Sequence, residues 1–216
     1  MGTLHHFGDS YASTGREDKH FVEMISNKMG YDFKMINTTK PGSSNELMLN
    51  NLLSKIFEIE DGDILFFNFS FFTRGCYYDK EYKQIRSTNS YYSDGPNGFG
   101  DIFNCDHQYI RDVITYQLDC SEDYNRRLFN QFNTLFEQLH KRNILIYYIF
   151  IEHTPWCDEL LEYGNKIKFD NGFVNWLYSK DYHREEECHY TRGVQGDIYD
   201  YVMEQIKNTN PEITPN

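Results

Sequence analysis

The sequence predicts a three-layer α/β/α fold, in which a parallel sheet lies between two layers of helices. Short apolar runs that suit buried strands alternate along the chain with longer segments whose apolar residues recur at helical spacing. Strand–helix–strand alternation of this kind produces parallel sheets covered on both faces. A chain of 216 residues that is 39% hydrophobic can form one sizeable core. We therefore expect a single domain over residues 1–210 and a frayed tail at 211–216.

The elements follow in order from periodicity and end signals. The strands are predicted at 3–7, 32–36, 64–70 and 144–152. The helices are predicted at 16–29, 43–57, 121–141 and 191–207, with a short helical stretch at 158–163. Gly30 ends the first helix, and a capping box of Ser43 and Glu46 begins the second. The third has an acidic first turn and one continuous apolar stripe, and we assign that stripe to the core.

Composition excludes several classes of partner. The formal net charge of -12 argues against a nucleic-acid groove, because Lys and Arg dominate phosphate binding. The longest apolar run, residues 144–151, is too short to span a membrane. The five cysteines are an odd number without framework spacing, and the N-terminus lacks the features of a signal peptide. We expect a reduced, cytoplasmic protein that binds neither nucleic acid nor membrane.

A tyrosine-rich segment at about 74–120 interrupts the alternation. Only residues 110–118 look helical within it, and Gly-rich turns separate the tyrosines. A long insertion after a central strand is a common place for substrate selection. We interpret it as a lid or side wall in which Arg74, Tyr77 and Tyr78 contact the substrate. The alternative is a variable surface excursion without a ligand.

Two short motifs carry candidate chemistry. Ser10 follows the first strand within Gly8-Asp9-Ser10, where a serine can stand exposed at the carboxyl edge of a sheet and act as a nucleophile. An Asp and a Ser after a strand are also ordinary turn residues. Gly42 and Ser43 precede the second predicted helix, whose N-terminal N–H groups suit an oxyanion. The alternative there is a plain Pro-Gly turn.

These motifs, with a third near the C-terminus, resemble the blocks of the GDSL, or SGNH, hydrolase superfamily. Gly8-Asp9-Ser10 resembles the first block, and Lys40-Pro41-Gly42-Ser43-Ser44-Asn45 the second. Glu186-Glu187-Cys188-His189 is similar to the last block, in which an acid lies three residues before a histidine. The resemblance implies a flavodoxin-like sheet of about five strands. It extends from residue 10 to residue 189 and so covers most of the chain.

The resemblance implies a serine esterase that needs no metal or organic cofactor. Ser10 would be the nucleophile, His189 the general base and then acid, and Glu186 the carboxylate that orients the histidine, with Glu187 as a second candidate. The N–H groups of Ser10 and Gly42 would line the oxyanion hole. The expected substrate is a small-molecule or glycan ester, such as an O-acetyl group on a carbohydrate.

The third block departs from the family pattern, which places Gly-x-Asn at the end of the third strand. Counting from Asp63, the glycine position falls on Ser70 and the asparagine position on Phe72. Asn68 lies two residues before Ser70 and on the same strand face. Either Asn68 supplies the third oxyanion donor, or Ser70 or Thr73 does, or the hole has two donors.

Two alternatives stay open at this point. The displaced third block favours a weak or inactive protein that keeps the scaffold for binding or structure. The second block is also similar to those of hydrolase-like proteins from phages and large viruses, whose setting would be the host cytoplasm or the virion. A metal site is the other alternative, since imidazole and thiol ligands suit zinc. Its candidate ligands are His153, Cys157, His183, Cys188 and His189.

Overall fold

The computed structural model describes residues 2–8, 19–36, 44–72, 76–79, 84–87, 121–184, 189–190 and 193–213. The strands are β1 (Thr3–Phe7), β2 (Asp32–Met35), β3 (Ile64–Phe69), β4 (Cys76–Asp79), β5 (Gln84–Ser87), β6 (Leu145–Phe150), β7 (Asn165–Lys166), β8 (His183–Arg184) and β9 (His189–Tyr190). The helices are α1 (Phe21–Met29), α2 (Asn45–Lys55), α3 (Ser121–His140), α4 (Phe173–Ser179) and α5 (Gln195–Thr209). Short 3-10 turns lie at Ile56–Glu58, Cys157–Glu159 and Pro211–Ile213.

Five parallel strands form the central sheet in the order β2-β1-β3-β6-β7. Leaving out the separate β4–β5 hairpin, this is the flavodoxin-like order. Consequently the predicted three-layer fold and its five-stranded parallel sheet are confirmed. Strand β1 pairs with β2 on one side and with β3 on the other, so the chain reverses its direction of winding between β1 and β3.

Alternate residues of β3 face two different apolar layers, because successive side chains of a strand point to opposite faces. Ile64 and Phe66 pack with α1, α4 and α5 in one layer. Leu65, Phe67 and Phe69 pack with α2 and α3 in the other. Phe69 shows how dense the second layer is, since its ring contacts those of Phe129, Phe132 and Phe150, among others, with centroids 4.8 to 5.4 Å apart. The sheet is therefore buried on both faces.

The helix ends differ from prediction in several places, and α5, for example, extends from Gln195 to Thr209 rather than from 191 to 207. Helix α1 begins at Phe21 rather than at residue 16, because His20 is its N-cap and accepts a hydrogen bond from the N–H of Val22. Helix α2 is capped by Ser44, not Ser43, through a 3.2 Å hydrogen bond from the N–H of Leu47 to Oγ. Glu46 accepts a hydrogen bond from the Tyr124 hydroxyl of α3. Of the helices in the described ranges, none has the length and apolarity needed to cross a membrane.

Several small elements were not predicted. Helix α4 has seven residues and strand β7 has two, both too short to produce a recognisable period. The hairpins β4–β5 and β8–β9 are antiparallel and lie outside the central sheet. The hairpin β4–β5 falls within the segment predicted as an insertion.

Asp63 joins the beginnings of β1 and β3 at the amino edge of the sheet. Its carboxylate accepts hydrogen bonds from the N–H groups of Thr3 (2.7 Å) and Glu60 (2.9 Å), and its Oδ2 lies 2.8 Å from His5 Nε2. Burial alone would raise the pKa of Asp63, but these hydrogen bonds lower it below its ordinary value. The carboxylate fixes the position of β1 before the chain reaches the carboxyl edge.

Gly172 marks a close backbone approach next to the end of β6. Its φ of 90° and ψ of 162° are accessible essentially to glycine alone. A Cβ at this position would lie 2.7 Å from the backbone nitrogen of His153 and 2.8 Å from the carbonyl carbon of Glu152. No side chain fits there without moving backbone.

We predict that Gly172→Ala lowers the free energy of unfolding by about 3 kcal/mol or more, since backbone strain and overlap add together. The matched control is Gly196→Ala in α5, where a Cβ meets nothing within 4 Å. That substitution should stabilise the protein by about 0.5–1 kcal/mol, because alanine replaces glycine in a helix. Urea denaturation measures both. Equal effects of the two substitutions on the free energy of unfolding would contradict the conclusion that only glycine fits at position 172.

Candidate active site

The candidate site lies at the carboxyl edge of the sheet, where β1 and β3 end side by side. Open α/β sheets bind ligands at the carboxyl edge where the winding direction reverses, and that point lies here between β1 and β3. Strand β1 ends at Phe7, three residues before Ser10, and α2 begins at Asn45, three residues after Gly42. The end of β1 and the start of α2 both lie at this edge, where α2 bonds the end of β3 through Asn45.

Side chains from two helices hold the backbone that follows β3. Asn45 of α2 bonds Ser70 with both of its amide atoms: the Ser70 N–H donates to Oδ1 (2.6 Å) and Nδ2 donates to the Ser70 carbonyl (3.0 Å). Asn125 of α3 donates from Nδ2 to the Phe72 carbonyl (2.7 Å). The N–H of Phe72 donates to the Glu152 carboxylate, which follows β6. Residues 70–72 are thus fixed from three directions.

Phe72 occupies the position at which the family pattern has an asparagine. Its side chain is only 3% exposed and packs against Phe129, Phe150 and Trp156, with ring centroids 4.6 to 5.9 Å away. The side chain is therefore a core group and donates no hydrogen bond. An oxyanion donor from the end of β3 has to come from another residue.

A buried polar cluster lies beneath the same edge and consists of His6, His20 and Asn68. All three side chains are fully buried, and the rings of His6 and His20 have centroids 4.9 Å apart. Within the described part of the chain, the ring nitrogens of His6 and the amide atoms of Asn68 make no well-formed hydrogen bond, and the Asn68 amide is the polar side chain beside His6. Burial lowers the pKa of His6 well below its ordinary value, as does the neighbouring His20, while the nearby Asn68 amide raises it by less. His6 is therefore neutral at pH 7.

A second polar group follows β6 and comprises His153, Cys157, Asp158 and Lys166. The ligand atoms of the first three lie within 4.8 Å of one another. Lys166, however, forms an ion pair with Asp158 and lowers the pKa of that carboxyl. Burial raises the pKa of the Cys157 thiol, which favours its protonated form. An ammonium group already balances the carboxylate, so we assign no metal to this group.

The predicted site residues fall partly outside the described structure. Ser10, Gly42, Arg74, Glu186, Glu187 and Cys188 lie outside the described residues. The backbones of Tyr77, Tyr78, His183 and His189 lie in the hairpin strands, and their side chains are outside the described part. The described candidates Asn68 and Ser70 both lie at the end of β3. The triad and the tyrosine-rich substrate wall stay predictions.

The residues that hold this edge together have little signature in the sequence. Asn45 lies in the second block without a predicted role, and Asn125 lies within a predicted helix. Glu152 ends the apolar run of β6, and His6 interrupts the apolar pattern of β1. The sequence does contain one sign of these contacts. Polar residues lie within or just after strands that are buried on both faces, and such buried polar groups normally have a specific hydrogen-bond partner.

The fold is similar to those of several solved structures. TesA aligns over 95% of this chain and 98% of its own, with 12% identity and a TM-score of 0.50. The Bacillus subtilis protein YXIM aligns over 98% of this chain and 57% of its own, with 9% identity and a TM-score of 0.55. A lipase/acylhydrolase from Enterococcus faecalis aligns over 97% of both chains, with 12% identity and a TM-score of 0.47.

The chain has an SGNH/GDSL-hydrolase fold. At identities of 9–12%, the likeness is one of fold. No family model matches the sequence, and no curated protein does.

We predict that His6 makes the stability of the protein depend on pH below about 6.5. Native His6 stays neutral, whereas His6 in an unfolded chain takes up a proton near the ordinary histidine pKa of about 6.5, so stability falls as pH falls. The slope from this one group approaches about 1.4 kcal/mol per pH unit. His6→Leu should reduce the slope of unfolding free energy against pH between 7.5 and 5.5, measured by urea denaturation.

The control for this prediction is Phe66→Leu, which changes an apolar ring 6.0 Å from His6 in the same layer. It should lower stability without altering the slope. Wild type and His6→Leu with the same slope would show that His6 is not held neutral by burial.

Proposed function

We propose that this protein is a serine hydrolase of the SGNH type that cleaves a carboxylic ester. The observation that carries the proposal is the meeting of β1, β3 and the N-terminus of α2 at the reversal point of the sheet. Ser10 follows β1 and Gly42 precedes α2, so the predicted nucleophile and the predicted oxyanion donor approach the same edge. The SGNH/GDSL fold supports the same placement.

In this proposal Ser10 Oγ attacks the ester carbonyl carbon while His189 removes its proton. Glu186 orients the imidazole and stabilises the imidazolium that forms. His189 then protonates the leaving alcohol, and water hydrolyses the acyl-enzyme by the same route in reverse. The N–H groups of Ser10 and Gly42 stabilise the oxyanion in both halves of the reaction.

Asn68 is the proposed third donor. The Ser70 N–H already donates to Asn45, and the Phe72 N–H already donates to Glu152. Among the described residues the Asn68 amide makes no well-formed hydrogen bond, and His6 is the polar group beside it. Its side chain is fully buried, so the proposal requires that the oxyanion displace the groups that cover the Asn68 amide.

The proposed substrate is a neutral ester of a small molecule or a glycan, and an O-acetyl group on a carbohydrate is the first choice. The net charge of -12 disfavours polyanionic substrates. Tyrosine and phenylalanine together supply 35 aromatic residues (18 + 17), and aromatic faces suit sugar rings. The segment at 74–120, with Arg74, Tyr77 and Tyr78, is the proposed wall of the binding site.

One observation favours a second candidate, a binding protein that retains the scaffold without efficient catalysis. Phe72 packs into the core where the family pattern has a donor asparagine. Removing one oxyanion donor typically costs about a hundredfold to a thousandfold in rate. A chain with only two backbone donors would bind esters yet cleave them slowly.

We predict that a fluorophosphonate forms a single covalent adduct with wild type and none with Ser10→Ala. His189→Ala should label at least about a hundredfold more slowly, because the serine loses its general base. Intact-mass spectrometry measures the adduct, and hydrolysis of short-chain aryl esters gives the matching activity. Controls are Ser54→Ala and His140→Ala, which change an exposed serine of α2 and the exposed last residue of α3.

Both control variants should label like wild type. Wild type that neither labels nor cleaves aryl esters would contradict the hydrolase proposal and support the binding protein. A label that persists in Ser10→Ala would place the nucleophile elsewhere.

A further inference from the structure

Asn45 connects two parts of the edge that lie 25 residues apart in the chain. It is the first residue of α2, and its side chain is fully buried. Its amide forms a two-point hydrogen bond with the backbone of Ser70, the first residue after β3. Two hydrogen bonds from one side chain to the Ser70 backbone fix both the distance and the orientation of that backbone relative to α2. A single hydrogen bond would fix only the distance.

Helix α2 is itself fixed at this end by two further contacts. Ser44 caps it through the Leu47 N–H, and Glu46 accepts a hydrogen bond from Tyr124 of α3 at 2.7 Å. These contacts hold the N-terminus of α2 in place. Asn45 joins this fixed helix end to the end of β3, because its backbone belongs to the helix and its side chain bonds the Ser70 backbone.

We propose that Asn45 is a positioning residue that fixes the N-terminus of α2 against the backbone that follows β3. It thereby shapes the oxyanion hole without touching the substrate. This inference rests on the proposed function, since the hole matters only if Ser10 attacks an ester. An oxyanion hole is sensitive to such spacing, because a displacement of about 1 Å can cost about a hundredfold in rate.

Asn133 of α3 provides a matched control. Its amide makes the same kind of two-point bond to loop backbone, since Nδ2 donates to the Leu160 carbonyl at 2.8 Å and Oδ1 accepts from the Glu162 N–H at 2.9 Å. It lies eight residues beyond Asn125, which is about 12 Å along the helix axis. It contacts neither α2 nor the end of β3 through these bonds. Removing the Asn133 amide therefore measures how much the loss of such a two-point hydrogen bond lowers stability, without altering the contact between α2 and the end of β3.

The test compares wild type, Asn45→Ala, Asn45→Asp and Asn133→Ala. For each we would measure the melting temperature, kcat and KM for a short-chain aryl acetate, and the rate of fluorophosphonate labelling. Asn45→Ala should lower kcat and the labelling rate about tenfold to a hundredfold while KM changes by less than about threefold. Asn45→Asp keeps the acceptor for the Ser70 N–H and should lose less. Asn133→Ala should lower the melting temperature and leave kcat within about twofold of wild type.

Each outcome decides the proposal. Wild-type kcat in a folded Asn45→Ala would overturn it, and so would an equal loss of kcat in Asn133→Ala. A chain that fails to fold with either substitution at residue 45 would assign Asn45 a structural role and also overturn it. The result for wild type distinguishes failure of the proposed function from failure of the positioning role. If wild type neither labels nor hydrolyses ester, the proposed function fails and the positioning role fails with it.

Discussion

The pairing of β1 with β2 on one side and β3 on the other is the constraint on which the rest of this structure depends. Parallel strands require crossover connections, and in this order the connections from β1 to β2 and from β2 to β3 lie on opposite faces of the sheet. Folds with such a reversal bind ligands at the carboxyl edge beside it, here between β1 and β3. At the opposite, amino edge the Asp63 carboxylate accepts hydrogen bonds from the N–H groups of Thr3 in β1 and of Glu60 just before β3, and so ties the beginnings of the two strands together.

At the carboxyl edge, a backbone segment held by several hydrogen bonds lies above a cluster of buried polar side chains. Residues 70–72 are held by Asn45, Asn125 and Glu152, three side chains from three different elements. Beneath them, His6 and Asn68 are buried without a well-formed hydrogen bond to any described residue, which costs stability. The same edge thus combines a firmly held backbone with a local energetic cost.

The sequence was sufficient for the large elements because each has a long, strong pattern. Strand β1 was predicted at its observed bounds, and α3 was predicted to within one residue of its observed end. Helix α4 was missed because seven residues give less than two full turns of periodicity. The cap of α2 was placed on Ser43 because two adjacent serines satisfy the same local rule, and only the hydrogen bond to Leu47 distinguishes Ser44.

The candidate site was predictable in its location but not in its supporting contacts. Local motifs mark Ser10, Gly42 and His189, whereas the bond between Asn45 and Ser70 depends on how α2 packs against β3. Likewise, the sequence identifies Phe72 as a departure from the family pattern, and only the packing with Phe129, Phe150 and Trp156 explains what it does instead. Long-range contacts of this kind leave no period or spacing in a single sequence.

The most direct test of the account is a crystal structure of the protein after reaction with a small alkyl fluorophosphonate. The account predicts phosphorus bonded to Ser10 Oγ and a phosphonyl oxygen within hydrogen-bond distance of the N–H groups of Ser10 and Gly42. It also predicts the His189 imidazole beside the adduct, at the carboxyl edge between β1 and β3. An adduct on another residue, or a phosphonyl oxygen directed away from Gly42, would contradict it.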